Sequence, residues 1–227
     1  MNRYRSASET KEYYIEQMGA ALGALFYALC QEVAWLYVKW QEYTELFGKK
    51  PSRVELLNKA APLFFRIVQD VLWYDILMHI ARLTDPPKSA GKPNLTIQRL
   101  PQLVEDQAVE TVESLVREAI EAAKFCRDWR NRRIAHRDLN IALAQDAEPL
   151  EAASREKVRN ALAAIERVLN WVGQRYTGGT TVFSPVVTPP MGAEALLYVI
   201  YDGLKERERR ELRIRQGDYS DLSLPDL

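Results

Sequence analysis

Apolar residues recur at helical spacing along almost the whole chain, and prolines and glycines interrupt that spacing at only a few places. Val109, Val112, Val116, Ile120 and Ala123 keep one helical face, and Val158, Leu162, Ile165, Leu169 and Val172 keep another. No strand alternation persists and no internal repeat is visible. The expected fold is therefore all-α: a bundle of four to five main helices, up-and-down, with short connections. The 227 residues suit one sizeable domain, 1–227, with enough apolar content to form a core without crosslinks.

The breaks place the elements. Residues 8–47 read as one long helix, with Ser8 as N-cap and Gly48 as the C-terminal stop. Pro51 suits the first turn of the next helix, which runs to about Thr84 and is kinked or split at Pro62. Asp85-Pro86-Pro87 ends it and opens a loop over 85–94. A short helix is expected at 95–104, a long one over 106–138 and another over 150–176. Residues 177–190 hold two Gly and three Pro, and read as an extended crossover. A last helix is expected from Met191 to Arg215, with Glu206–Arg210 and Glu211–Arg215 at i, i+4 spacing, then a flexible polar tail over 216–227.

Lys and Arg total 31, as do Asp and Glu, so no global field draws nucleic acid or an anionic membrane. The two cysteines, Cys30 and Cys126, sit in apolar helical stretches and read as buried free thiols of a reducing compartment. No Cys/His cluster has zinc spacing, no carboxylate set has clear metal spacing, and no phosphate-binding Gly loop is present, so no metal or cofactor is expected. The uncharged run 17–31 follows Glu9, Glu12 and Glu16 rather than positive charge, and it is shorter than the roughly 20 residues of a bilayer span. It reads as a core helix, and the expectation is a cytoplasmic protein with no membrane partner.

Chemistry concentrates in Cys126-Arg127-Asp128-Trp129-Arg130-Asn131-Arg132-Arg133-Ile134-Ala135-His136-Arg137-Asp138. Five arginines (127, 130, 132, 133, 137) share residues 127–137 with one acid, Asp128. Such a patch suits a phosphate or a nucleic-acid backbone. His136 is one of only two histidines, which limits general acid–base candidates near neutral pH. On a regular helix Arg132 and Arg133 flank His136, whereas Arg130 lies roughly 240° away at 3.6 residues per turn. Two copies of the motif meeting across a dimer would bring Arg130 and His136 together, as would a distorted helix. A structural role for His136, capping carbonyls at a helix end, stands beside the catalytic one. Asp75, His79 and Arg82 form a second cluster on one helical face, readable as part of a site or as a polar seam between helices in which Asp75 or Asp85 pairs an arginine. The tryptophans read as core or interface anchors, with Trp129 the one placed to contact a base.

The segment Arg130-Asn131-Arg132-Arg133-Ile134-Ala135-His136 resembles the HEPN signature, an Arg followed after four to six residues by His. The chain is most similar to the abortive-infection, AbiU-like branch, through Ala81-Arg82-Leu83-Thr84-Asp85, Asn94-Leu95-Thr96 and Gly192-Ala193-Glu194 as well, over roughly residues 10–205. The resemblance implies an HEPN-like bundle, a homodimer, and a metal-independent endoribonuclease acting as a toxin or anti-phage effector, with an antitoxin protein as a further partner. It assigns His136 as general acid or base, Arg130 to the phosphorane charge and Asn131 to a phosphate oxygen. Arg127, Arg132, Arg133 and Arg137 are RNA or phosphate contacts on charge grounds. The alternative is a non-catalytic HEPN module that binds a nucleotide or a protein. One departure is Asp138, at a position where some HEPN toxins carry a Tyr that a nucleotidyltransferase partner modifies.

Overall fold

The computed structural model describes residues 5–135, 139–143, 148–184 and 191–220. Five long helices carry the fold: α2 (Ala20–Phe47), α4 (Pro62–Leu83), α5 (Asp106–Ala122), α8 (Arg155–Thr177) and α9 (Ala193–Arg215). Shorter ones are α1 (Ala7–Met18), α3 (Pro51–Ala60), α6 (Lys124–Trp129) and α7 (Leu139–Ala142). Among the described residues the strand content is one antiparallel ribbon, β1 (Lys88–Ser89) with β2 (Lys92–Pro93), inside the loop expected over 85–94. The short helix expected at 95–104 is a 3₁₀ segment, Ile97–Gln102, capped by Thr96.

Two expected helices are broken. The stretch 8–47 divides at Gly19, whose φ of 82° lies outside the helical region, and the N-cap of α1 is Ser6, two residues before Ser8. There the Ser6 hydroxyl accepts from the Glu9 N–H while the Glu9 carboxylate accepts from the Ser6 N–H at 2.7 Å, a reciprocal cap. Gly23 lets the two helices approach: a Cβ there would stand 2.3 Å from the Tyr14 carbonyl oxygen. The stretch 106–138 is interrupted at Ala123 and again from Arg130 onward. Pro62 does split its helix, opening α4 at the position where a missing N–H costs nothing.

Contacts group the chain into two units, Met1–Trp40 with Trp73–Pro185, and Gln41–Leu72 with Val186–Leu227. In the first, α5 and α1 pack on α8. Val158, Leu162, Ile165, Leu169 and Val172 of α8 are all buried, as their spacing predicts. Phe26, Leu29, Val33 and Leu36 of α2 and Ile76, Leu77 and Ile80 of α4 are buried as well, each contributing about 1.5–3 kcal/mol by leaving water. In the second unit α3 packs on α9 around Leu46, Leu57, Phe65, Ala193 and Leu197. The Ala193 N–H at the start of α9 donates to Glu42 at 2.5 Å, and Arg53 joins Glu45 to Glu194. In α9 the charges pair as Glu206–Arg209 and Glu206–Arg213, not at the i, i+4 spacings expected.

Helix α2, at 28 residues, is long and apolar enough to cross a membrane, because it continues past Glu32, where the uncharged run ends. Its buried positions nonetheless recur as a stripe, Leu22, Phe26, Leu29, Val33, Leu36, Trp40 and Tyr43, which is the pattern of a helix packed against protein. Cys30 and Cys126 are buried free thiols, and burial pushes the Cys30 thiol up to about 12.

Candidate functional site

The arginine motif lies in the first unit, where the chain leaves α-helical geometry. After α6 the residues Arg130–Ile134 form a π-helical turn, and the Ala135 N–H donates to the Arg130 carbonyl at 2.8 Å. That i→i+5 bond widens the turn, as in the π-bulges often found at functional sites. Arg130–Ala135 therefore departs from the regular α-helix. His136, Arg137 and Asp138 lie outside the described residues.

Asp85 organises the turn from 45 residues away in sequence. It stands just past the end of α4, nearly buried, and its Oδ2 accepts from Arg130 Nη1. Arg127 Nε lies 3.7 Å from its Oδ1, and Arg127 Nη2 donates to the Thr84 carbonyl at 2.7 Å. The loop that presents Asp85 is built by its own polar residues. The Thr96 hydroxyl lies 2.9 Å from the Leu83 carbonyl and 2.8 Å from that of Asp85, and its one hydrogen is shared between them. Gln98 Nε2 donates to Thr84 O, and Asn94 Nδ2 to Pro86 O and Ser89 Oγ. Thr84 and Thr96 are buried, and these bonds together with that of the Thr84 hydroxyl to the Ile80 carbonyl pair their hydroxyls, as buried polar groups require, whereas Asp85 Oδ1 has no hydrogen bond.

Arg130 is held on its second side by Asn131, whose Oδ1 accepts from Arg130 Nε at 3.0 Å. Asn131 thus turns its amide oxygen, not its N–H groups, towards the guanidinium. The other arginines diverge. Arg132 turns to Asp128 at 3.4 Å and to the Glu148 carbonyl. Arg133 is exposed; its Nε donates to the Tyr74 hydroxyl at 3.0 Å, and it sits within cation–π range of the Tyr74 and Trp129 rings. Among the described residues no carboxylate pairs with Arg133. Trp129 is pinned by its own N–H, which donates to Glu151 O at 2.8 Å. Among the described residues a phosphate arriving here would find no carboxylate on Arg133, whereas at Arg130 it would compete with Asp85.

The second cluster is divided between partners on α2. Asp75 pairs with Lys39 at 2.5 Å, a lysine rather than an arginine. His79 is 2 % exposed, and its Nε2 stands 2.8 Å from a Glu32 carboxylate oxygen, out of line for a hydrogen bond. Burial pushes the imidazole down to about 4, aided by Lys39 and opposed by Glu32, so His79 is neutral near pH 7. Arg82 is exposed at the next turn of α4. Two residues that matter here carried little sequence signal. Glu32 registered only as the end of an apolar run, and Asp85 as a helix stop and an arginine partner whose arginine could not be named.

The domain is all-α, and its Arg130-Asn131 pair sits on a π-helical turn. A family model described as HEPN_AbiU2 (AbiU2) matches residues 19–191, most of the chain. The chain belongs to that family. Neither a curated protein nor a solved structure matches it.

Proposed function

We propose that this protein is a metal-independent endoribonuclease of HEPN type, a cytoplasmic toxin of abortive infection that acts as a homodimer. In this reading a ribose 2′-OH attacks the adjacent phosphate, its P–O bond to the 5′-oxygen of the next nucleotide breaks, and a 2′,3′-cyclic phosphate and a 5′-OH are left. His136 moves the proton, Arg130 takes up the charge that develops on the phosphorane, and Asn131 donates to a phosphate oxygen. Arg133 gathers the backbone by charge. The observation that supports it is the fixed Arg130: Asn131 and Asp85 hold the guanidinium in one orientation, so little ordering remains to be done when a phosphate arrives. The same ion pair favours a second reading, a nucleotide-binding module without catalysis, because Asp85 already neutralises the cation that a transition state would need.

Cleavage of a mixed tRNA and mRNA pool separates the two readings. Wild type, His136→Ala and Arg130→Ala are compared with and without chelator, each with its melting temperature recorded. Cleavage that survives chelator and is lost in both folded variants is expected. A folded wild type that cuts nothing supports the binding module instead.

A further inference from the structure

Beside Arg130, within the same unit, a half-open cavity of about 250 Å³ is lined by Glu32, His79, Arg82, Asp85 and Asn94, with Leu83 and Leu95 as apolar wall. It contains groups that the fold leaves unsatisfied. Neither buried ring nitrogen of His79 makes a well-aligned hydrogen bond, Nε2 facing Glu32 at 2.8 Å, and the buried Asp85 Oδ1 has only the ionic contact of Arg127 at 3.7 Å. Poorly satisfied polar atoms are costly to bury, so their collection along one cavity beside the exposed carboxylate of Glu32 and the exposed Arg82 points to a polar ligand. Arg82, at the rim, has no ion pair among the described residues.

The donors and acceptors narrow the ligand. A free phosphate would meet the carboxylates of Glu32 and Asp85, and a metal cation would meet Arg82. Among the described residues no set of three His, Cys, Asp or Glu is placed to hold a metal. The volume lies below the roughly 300–1,000 Å³ typical of sites for drug-sized ligands, which suits one ring system rather than a whole nucleotide. We propose that this cavity binds a guanine base, with Glu32 accepting from N1–H and the 2-amino group and Arg82 donating to the O6/N7 edge. Guanine alone among the four RNA bases offers a carboxylate two adjacent donors. Adenine and cytosine set a ring acceptor beside their amino group, and uracil has one N–H between two carbonyls. Arg to O6/N7 is the commonest pairing by which proteins read guanine. Asp85 lines this cavity and also grips Arg130, so a guanosine bound here would lie next to the arginine motif. The specificity for RNA rests on the endonuclease reading, whereas base binding does not require cleavage.

The test is calorimetric titration of the full chain and of Glu32→Gln with the 5′-monophosphates of guanosine, adenosine, cytidine and uridine. The Glu32 side chain is 46 % exposed, so the variant should fold; Arg82→Met, also exposed, serves as a second variant. Guanosine monophosphate is expected to bind wild type at least tenfold tighter than the other three, and each variant is expected to lose at least tenfold. Equal affinities for the four nucleotides, no binding of any, or unchanged guanosine binding in both variants would overturn the proposal. Guanosine binding by a chain that cuts no RNA would overturn the endonuclease reading and leave this one standing.

Discussion

Asp85→Asn removes one negative charge while keeping the side chain's shape, and its cost follows from what the carboxylate touches. The variant leaves Arg130 without its ion-pair partner and Arg127 without a countercharge at 3.7 Å. Breaking a fully buried ion pair by removing one partner costs about 3–5 kcal/mol. Here the arginine side chains are 23 % and 30 % exposed, so solvent repays part of the loss, and about 2 kcal/mol is expected. The bonds of Thr96 and Gln98 run to backbone carbonyls and survive the change. For a chain of this size about 2–4 °C of melting temperature corresponds to each kcal/mol, so the midpoint should fall by roughly 4–8 °C. Thermal melts at pH 7 and low salt, followed by circular dichroism, read this directly. Asp70→Asn is the control: its 3.2 Å pair with Arg66 is exposed on both sides, and its removal should shift the midpoint by no more than about 2 °C. If Asp85→Asn melts with the control, Asp85 does not anchor the arginine turn.

Gly23→Ala should destabilise by about 1–3 kcal/mol, because the new methyl meets fixed backbone, Tyr14 O and Ile15 N and Cα, which no rotamer change can clear. Gly203→Ala in α9 meets nothing and should stabilise by about 0.5–1 kcal/mol; urea denaturation of both variants checks the opposite signs. Stability should also fall as pH drops from about 6.5 towards 4. His79 is neutral in the folded chain down to about 4, whereas the unfolded chain protonates near 6.5, so the unfolded state binds more protons across that window. The contribution is complete above the unfolded value and its loss is at most about 3 kcal/mol. Urea midpoints at pH 7 and pH 5 for wild type and His79→Gln should show a slope that the variant lacks; parallel slopes would refute the assignment.

Helical class, the break at Pro62, the buried stripe of α8 and the position of α9 follow from local rules, because periodicity, proline and glycine act within a few residues of themselves. The arginine motif was legible for the same reason, as a cluster in sequence. Gly19 and Gly23 lay in a run that kept helical spacing, and only the close crossing of α1 and α2 makes one a break and the other a contact. The π turn at Arg130 departs from a pattern that reads as continuous helix from 106 to 138. What the sequence by itself determined is the helices and the basic cluster, since each depends on neighbours in the chain. Tertiary structure alone decided that Asp85 grips Arg130, that Glu32 stands over His79, and that Lys39 claims Asp75. Those partners lie 36 to 47 residues apart in sequence, and a charge carries no local signal of which distant charge the fold will bring to it.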